Sequence, residues 1–118
     1  MADGKYYEAL AAEHLQSAGL SVIEHNFNCK AGELDIICRD GEYLVFVEVR
    51  SRGPSEFASA LESVDQRKQR KLIRAAQVYL QRKGWQDRFP CRFDVIAFDT
   101  QASTQQHHVQ WIKDAFQT

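Results

Sequence analysis

Two β-rich runs, residues 33–39 and 42–50, flank Asp40-Gly41, and no other feature constrains the fold as tightly. Asp-Gly between alternating apolar runs is a strong hairpin signal. With Asp40-Gly41 as a two-residue turn, Arg39 pairs with Glu42, Asp35 with Phe46 and Glu33 with Glu48. Side chains alternate between the faces of a strand, so this register sorts the hairpin. Leu34, Ile36, Cys38, Val45, Val47 and Val49 share a purely apolar face that must be core. The opposite face mixes Ile37, Leu44 and Phe46 with Glu33, Asp35, Glu48 and Arg50 at one end.

The rest of the chain supplies layers for that hairpin. Residues 4–18 set Tyr7, Leu10, Ala11, Leu15 and Ala18 at helical spacing, with Asp3 a candidate N-cap and Gly19 a stop. Ser21 to Asn26 reads as a first strand. Gly53-Pro54 ends the third strand, Ser55 caps a short helix with Phe57, Ala60 and Leu61, and Asp65 caps a long helix that reaches Lys83 before Gly84. Phe93 to Phe98 reads as a fourth strand and Val109 to Ile112 as a fifth, with Ala115-Phe116 packing down the C-terminus. The order αβββααββ predicts an α/β fold, a mixed sheet flanked by helices, in which the strand after the long helix adds in parallel. Residues 1–118 contain no repeat and no linker long enough to divide them, so a single domain is expected.

Composition narrows the class. With 44% hydrophobic and 26% charged residues, the chain is neither disordered nor of low complexity. Its longest apolar run, Tyr43 to Val47, is far too short to span a bilayer. The N-terminus lacks a basic segment followed by an apolar core, so no membrane association is expected and a cytoplasmic location is. Cys29, Cys38 and Cys91 form no C-x-x-C pair, and His107-His108 has no cysteine nearby. That argues against a disulfide framework and against a zinc site.

The net charge of −1 conceals an asymmetry. Residues 1–49 carry 3 basic and 9 acidic side chains, residues 50–92 carry 11 and 4, and residues 93–118 carry 1 and 3. The basic middle can meet a polyanion while the acidic first half holds a cation; alternatively, both sets merely solvate surfaces. In the long helix the apolar stripe is Leu72, Ala75, Ala76, Tyr79 and Leu80. Arg67, Arg70, Lys71 and Arg74 lie off it, toward solvent. Lys68, four residues before Leu72, is in line with the stripe and leans toward the sheet. There it can assist an anionic substrate or simply snorkel along the core edge. Carboxylates crowded at one end of the hairpin repel one another, and a divalent cation would offset that; carboxylate oxygens suit Mg²⁺ or Mn²⁺. A solvated strand end with a Glu48–Arg50 ion pair is the alternative. An acidic metal pocket beside a helix rich in Lys and Arg fits phosphodiester chemistry on nucleic acid.

GELD (Gly32 to Asp35) followed by FVEVRSR (Phe46 to Arg52) resembles the uncharacterised YraN-like family of the PD-(D/E)xK, or restriction-endonuclease-like, superfamily, akin to archaeal Holliday junction resolvases. The likeness covers nearly the whole chain. It includes Gly4, Glu8, Ala11 and Gly19-Leu20, then Asn26, then Ser63-Val64 through Lys68 and Leu72 to Leu80. Arg92-Phe93-Asp94-Val95 and Trp111 to Phe116 complete it. The resemblance implies a restriction-endonuclease-like fold with Asp35 and Glu48 as metal-binding carboxylates. Glu8 would be the acidic residue of the first helix that reaches the site, and Glu33 would stand behind them. Arg50 occupies the place of the superfamily's lysine. Arginine stays charged and cannot act as a general base, though it can hold a phosphate or a water. Lys68 is the candidate to supply the missing amine. Asp94 matches the family and equally suits a strand end or a cap.

The expected function is a Mg²⁺- or Mn²⁺-dependent endonuclease acting on DNA, branched or structured forms included. Asp35, Glu48, Arg50 and Lys68 would carry the chemistry. Arg52, Arg67, Arg70, Lys71 and Arg74 would contact phosphates, which position without reading sequence. No small-molecule cofactor is expected, and analogy with the resolvases suggests a homodimer. The alternatives are a nucleic-acid-binding module on a nuclease fold that does not cut, and a protein-interaction domain.

Overall fold

A sheet with two apolar faces needs a helix on each, and that is how the chain is layered. The computed structural model describes residues 4–52, 62–99 and 109–118, with the backbone alone at Arg52. The expected cap at Asp3, the Gly53-Pro54 stop, the short helix after Ser55 and the His107-His108 pair lie outside the described residues. Helix α1 (Gly4–Ser17) precedes strands β1 (Ser21–Cys29), β2 (Gly32–Asp40) and β3 (Tyr43–Arg52). Helix α2 (Gln66–Lys83) then leads to β4 (Cys91–Asp99) and β5 (Val109–Phe116). The five strands form one mixed sheet in the order β1-β2-β3-β4-β5; β3 and β4 are parallel and the other neighbours antiparallel. Among the described residues, no helix is long and apolar enough to cross a membrane.

Local chemistry sets the helix ends. The Asp65 carboxylate accepts the Lys68 backbone N–H at 2.9 Å and caps α2, while Gly84, at φ +71°, closes it by donating to Gln81. Gly19, at φ +97°, ends α1 in the same left-handed way. Helix α1 buries Tyr7, Ala11, Ala12 and Leu15 against Ile36, Cys38, Val45, Val47, Ile96 and Phe98. On the other face, α2 buries Leu72, Ala75, Ala76 and Tyr79 against Ile37, Leu44, Phe46, Phe93 and Val95.

The hairpin register differs from the expected one. Asp40 pairs with Tyr43, Arg39 with Leu44 and Ile37 with Phe46, so Gly41-Glu42 is the turn, not Asp40-Gly41. Gly41 alone takes a positive φ, +59°, at the first central position, where glycine is favoured in tight hairpins. The offset is two residues, so parity survives along β3 and Val45 and Val47 still face α1. The same offset brings Glu48, rather than Phe46, level with Asp35.

Parity does not survive along β2. Leu34 packs on the α2 side with Ile37, whereas Ile36 packs on the α1 side. The expectation that Leu34 shares a face with Ile36 is therefore corrected. The pleat switches sides around Asp35, and regular pairing with β3 ends at Ile36. Glu33 consequently turns to a cleft that it lines with Gly4, Lys5 and Glu8 of α1, away from the face that carries Glu48.

The far end of the sheet is fastened by a buried ion. Asp94 is 0% exposed and accepts from Arg92 Nε at 3.1 Å, Trp111 Nε1 at 2.9 Å and the Asp114 backbone N–H at 2.9 Å. Arg92 Nη1 also reaches Asp40 at 2.9 Å, joining the hairpin turn to β4 and β5. Of the two roles open to Asp94, this assigns the structural one. Strand β5 runs to Phe116, which stacks on Phe93 at 4.8 Å.

Candidate functional site

Asp35 and Glu48 come from neighbouring strands and meet at the point where β2 and β3 part. The Asp35 carboxylate takes the place of a ladder carbonyl, accepting the Val49 backbone N–H at 2.9 Å. Its side chain also lies within hydrogen-bonding reach of Glu48. Both acids are nearly withdrawn from water, at 9% and 6% exposure. Leu34, Phe46 and Leu72 line the small cavity that Glu48 borders.

Burial is the chief reason that the Glu48 carboxyl is pushed up, to about 8. The Asp35 charge and a hydrogen bond to Asp35 act in the same direction, and Lys68 and Arg50 oppose them. Arg50 Nη2 stands 3.2 Å and Lys68 Nζ 3.5 Å from the same oxygen, Glu48 Oε2. Two cations contact the acid, yet burial and the second carboxylate outweigh them, because ionising both acids in one dry site is costlier than sharing a proton. Arg50 Nε is buried and has no hydrogen-bond partner among the described residues.

Glu8, half-buried on α1, approaches from the other side. Burial, then the charges of Asp35 and Glu33, raise its carboxyl; a hydrogen bond from Asn26 and the charge of Lys5 lower it. Lys5, Glu8, Asn26 and Glu33 border an open cleft of about 500 Å³. Asp35, Glu48, Arg50 and Lys68 are thus brought together, with Glu8 and Glu33 within electrostatic reach. Arg67, Arg70, Lys71 and Arg74 are all exposed on α2 and touch none of these acids, and the Arg52 side chain lies outside the described atoms. Among the described residues, no three His, Cys, Asp or Glu side chains stand close enough together to enclose a metal ion. Asn26 was legible only as part of the first strand. Its signal is conformational, a positive φ that the sequence pattern does not announce.

The chain matches the model of the family described as "Uncharacterised protein family UPF0102" over residues 7–98. It is similar to a UPF0102 protein of Stutzerimonas stutzeri (strain A1501), 49% identical over 115 residues, covering 98% of this chain and 94% of the relative. A UPF0102 protein of Hahella chejuensis is 47% identical over 113 residues, covering 96% and 88%. One from Legionella pneumophila (strain Corby) is 42% identical over 113 residues, covering 96% and 92%. A match across most of its length, with relatives this similar along nearly their whole chains, makes this protein a member of the UPF0102 family.

Proposed function

We propose that the protein is a divalent-cation-dependent endonuclease acting on DNA, branched or structured forms included. The observation that carries this reading is the convergence of two buried carboxylates from separate strands, Asp35 and Glu48, with Arg50 and Lys68 beside them. The donor set fits Mg²⁺ or Mn²⁺. Such ions take oxygen ligands, keep several waters and need only one or two protein carboxylates. Bound there, the cation supplies an activated water at neutral pH and charge stabilisation at phosphorus.

The chain's own residues divide the remaining work. Asp35, fixed by the Val49 N–H, holds its carboxylate at the parting of β2 and β3. Glu48 would hold the cation with Asp35, and Arg50 and Lys68, 3.2 Å and 3.5 Å from Glu48 Oε2, would stand beside the phosphate. Their positive charge then meets the negative charge that develops there. Glu8 supports the site from α1. Arg67, Arg70, Lys71 and Arg74 extend a basic surface about 10 Å along α2 at 1.5 Å per residue, matched to phosphates rather than bases.

One observation favours the second reading, a nucleic-acid-binding module that does not cut. Arg50 and Lys68 already contact Glu48 without any added cation. A cleavage assay on linear, flapped and four-way DNA with Mg²⁺ or Mn²⁺ separates the two. The wild type should give product and Asp35→Asn none, while both bind DNA. DNA binding with no product from the wild type on any form would overturn the nuclease in favour of the binding module.

A further inference from the structure

We propose that Asn26, a residue outside the catalytic set, positions the Glu8 carboxylate toward Asp35; this rests on the reading of the acids as a cation site. The register places Asn26 there. Strand β1 pairs His25 with Ile36 and Phe27 with Leu34, so Asn26 stands level with Asp35, on a rung that does not form. The break is shared by both strands. Glu24 reaches Lys83 of α2 and Phe27 packs on Tyr79 of α2, three residues apart, so β1 switches sides between them just as β2 does around Asp35.

Asn26 makes that switch in the left-handed conformation, φ +53°. Outside glycine this conformation is disfavoured, and Asn tolerates it better than most residues. Its carbonyl is held by the Asn28 side-chain amide at 3.2 Å. Strain of this kind inside a strand persists where the surroundings enforce it, and it collects at functional sites. Here it frees the Asn26 side chain from the pleat, and its amide donates to Glu8 at the edge of the cleft both residues line. Glu8 faces the like charges of Asp35 and Glu33 and the opposite charge of Lys5. Repulsion would turn its carboxylate outward, and the Asn26 amide holds it in. Outer-shell partners of this kind orient the carboxylates around a metal.

Asn26→Gly separates the side chain from the backbone, because glycine adopts the left-handed conformation without penalty. Its metal-free thermal midpoint should equal or exceed that of the wild type. Its Mn²⁺ affinity, read from the electron paramagnetic resonance of free Mn²⁺, should fall about tenfold, the scale of a lost outer-shell partner. In a Glu8→Gln background the same substitution should change affinity less than twofold. Equal losses in both backgrounds, or none in either, would overturn the proposal. A second readout needs no metal: the side-chain carboxyl ¹³C resonance of Glu8 should move in Asn26→Gly. If the wild type binds no Mn²⁺, the cation-site reading falls, while this resonance still decides for Asn26. A shift sustains positioning of Glu8 and an unchanged resonance ends it.

Discussion

At the scale of single residues, the cost of burying Glu48 beside Asp35 depends on pH. Its carboxyl ordinarily titrates at 4.5 and is raised to about 8 in the fold. Below the ordinary value it is protonated in both folded and unfolded chains, and the fold keeps its full stability. As pH rises from about 4.5 to about 8 the unfolded chain ionises first, so stability is lost across that window and levels off above it. The loss for such a buried acid is on the order of a few kcal/mol. Denaturation by urea at several pH values should give Glu48→Gln a flatter profile and a clear gain near pH 8. An unchanged slope would show that Glu48 is already ionised in the fold. Asp94 is a different kind of buried acid, fully enclosed with its hydrogen-bond donors in place. Asp94→Ala takes the acceptor from Arg92 Nε, Trp111 Nε1 and the Asp114 N–H and should cost about 3–5 kcal/mol, yet leave any Mn²⁺-induced gain in stability in place in whatever folded protein remains. Loss of less than about 1 kcal/mol would contradict the fastening role.

At the scale of elements, α2 was fully legible, since its stripe, its Asp65 cap and its Gly84 stop are all local signals. Asp65→Ala should cost about 1 kcal/mol in thermal denaturation, the ordinary worth of an N-cap. The exposed basic residues of the helix make a separate prediction. Reversing the charge at Arg67, Lys71 and Arg74 should weaken DNA binding about equally for all sequences and flatten its dependence on salt, because each phosphate contact releases counterions. Affinity and salt slope left unchanged in a binding titration would reduce the stripe to a solvated surface. The hairpin was legible in parity but not in register. Asp40-Gly41 and Gly41-Glu42 both place glycine in a tight turn, and a two-residue slip costs the buried face of β3 nothing. The side-switch at Asn26 and Asp35 was not legible, because alternation extrapolates through a broken rung. The extra length of β1 and β5 escaped for a related reason, as half-exposed edge strands carry weak apolar patterns.

At the scale of the whole molecule, the charge asymmetry of the chain becomes a division of surfaces. Glu8 and Glu33 line the cleft on the α1 side, Arg67, Arg70, Lys71 and Arg74 cover α2, and Asp35 and Glu48 lie between them at the parting strands. A polyanion guided by α2 would reach the acids only if a cation is bound among them, which makes that cation the central claim of this account. A ligand that binds only the folded chain stabilises it by about 2.7 kcal/mol at a hundred times its dissociation constant. For a chain of this length that is a rise of roughly 10 °C in the thermal midpoint. The most direct test is the midpoint with and without Mn²⁺ for the wild type, Asp35→Asn and Glu48→Gln. The wild type should gain several degrees, and the variants should gain little while matching or exceeding it without metal. No gain in the wild type, or an equal gain in all three, would contradict the claim that Asp35 and Glu48 hold the cation.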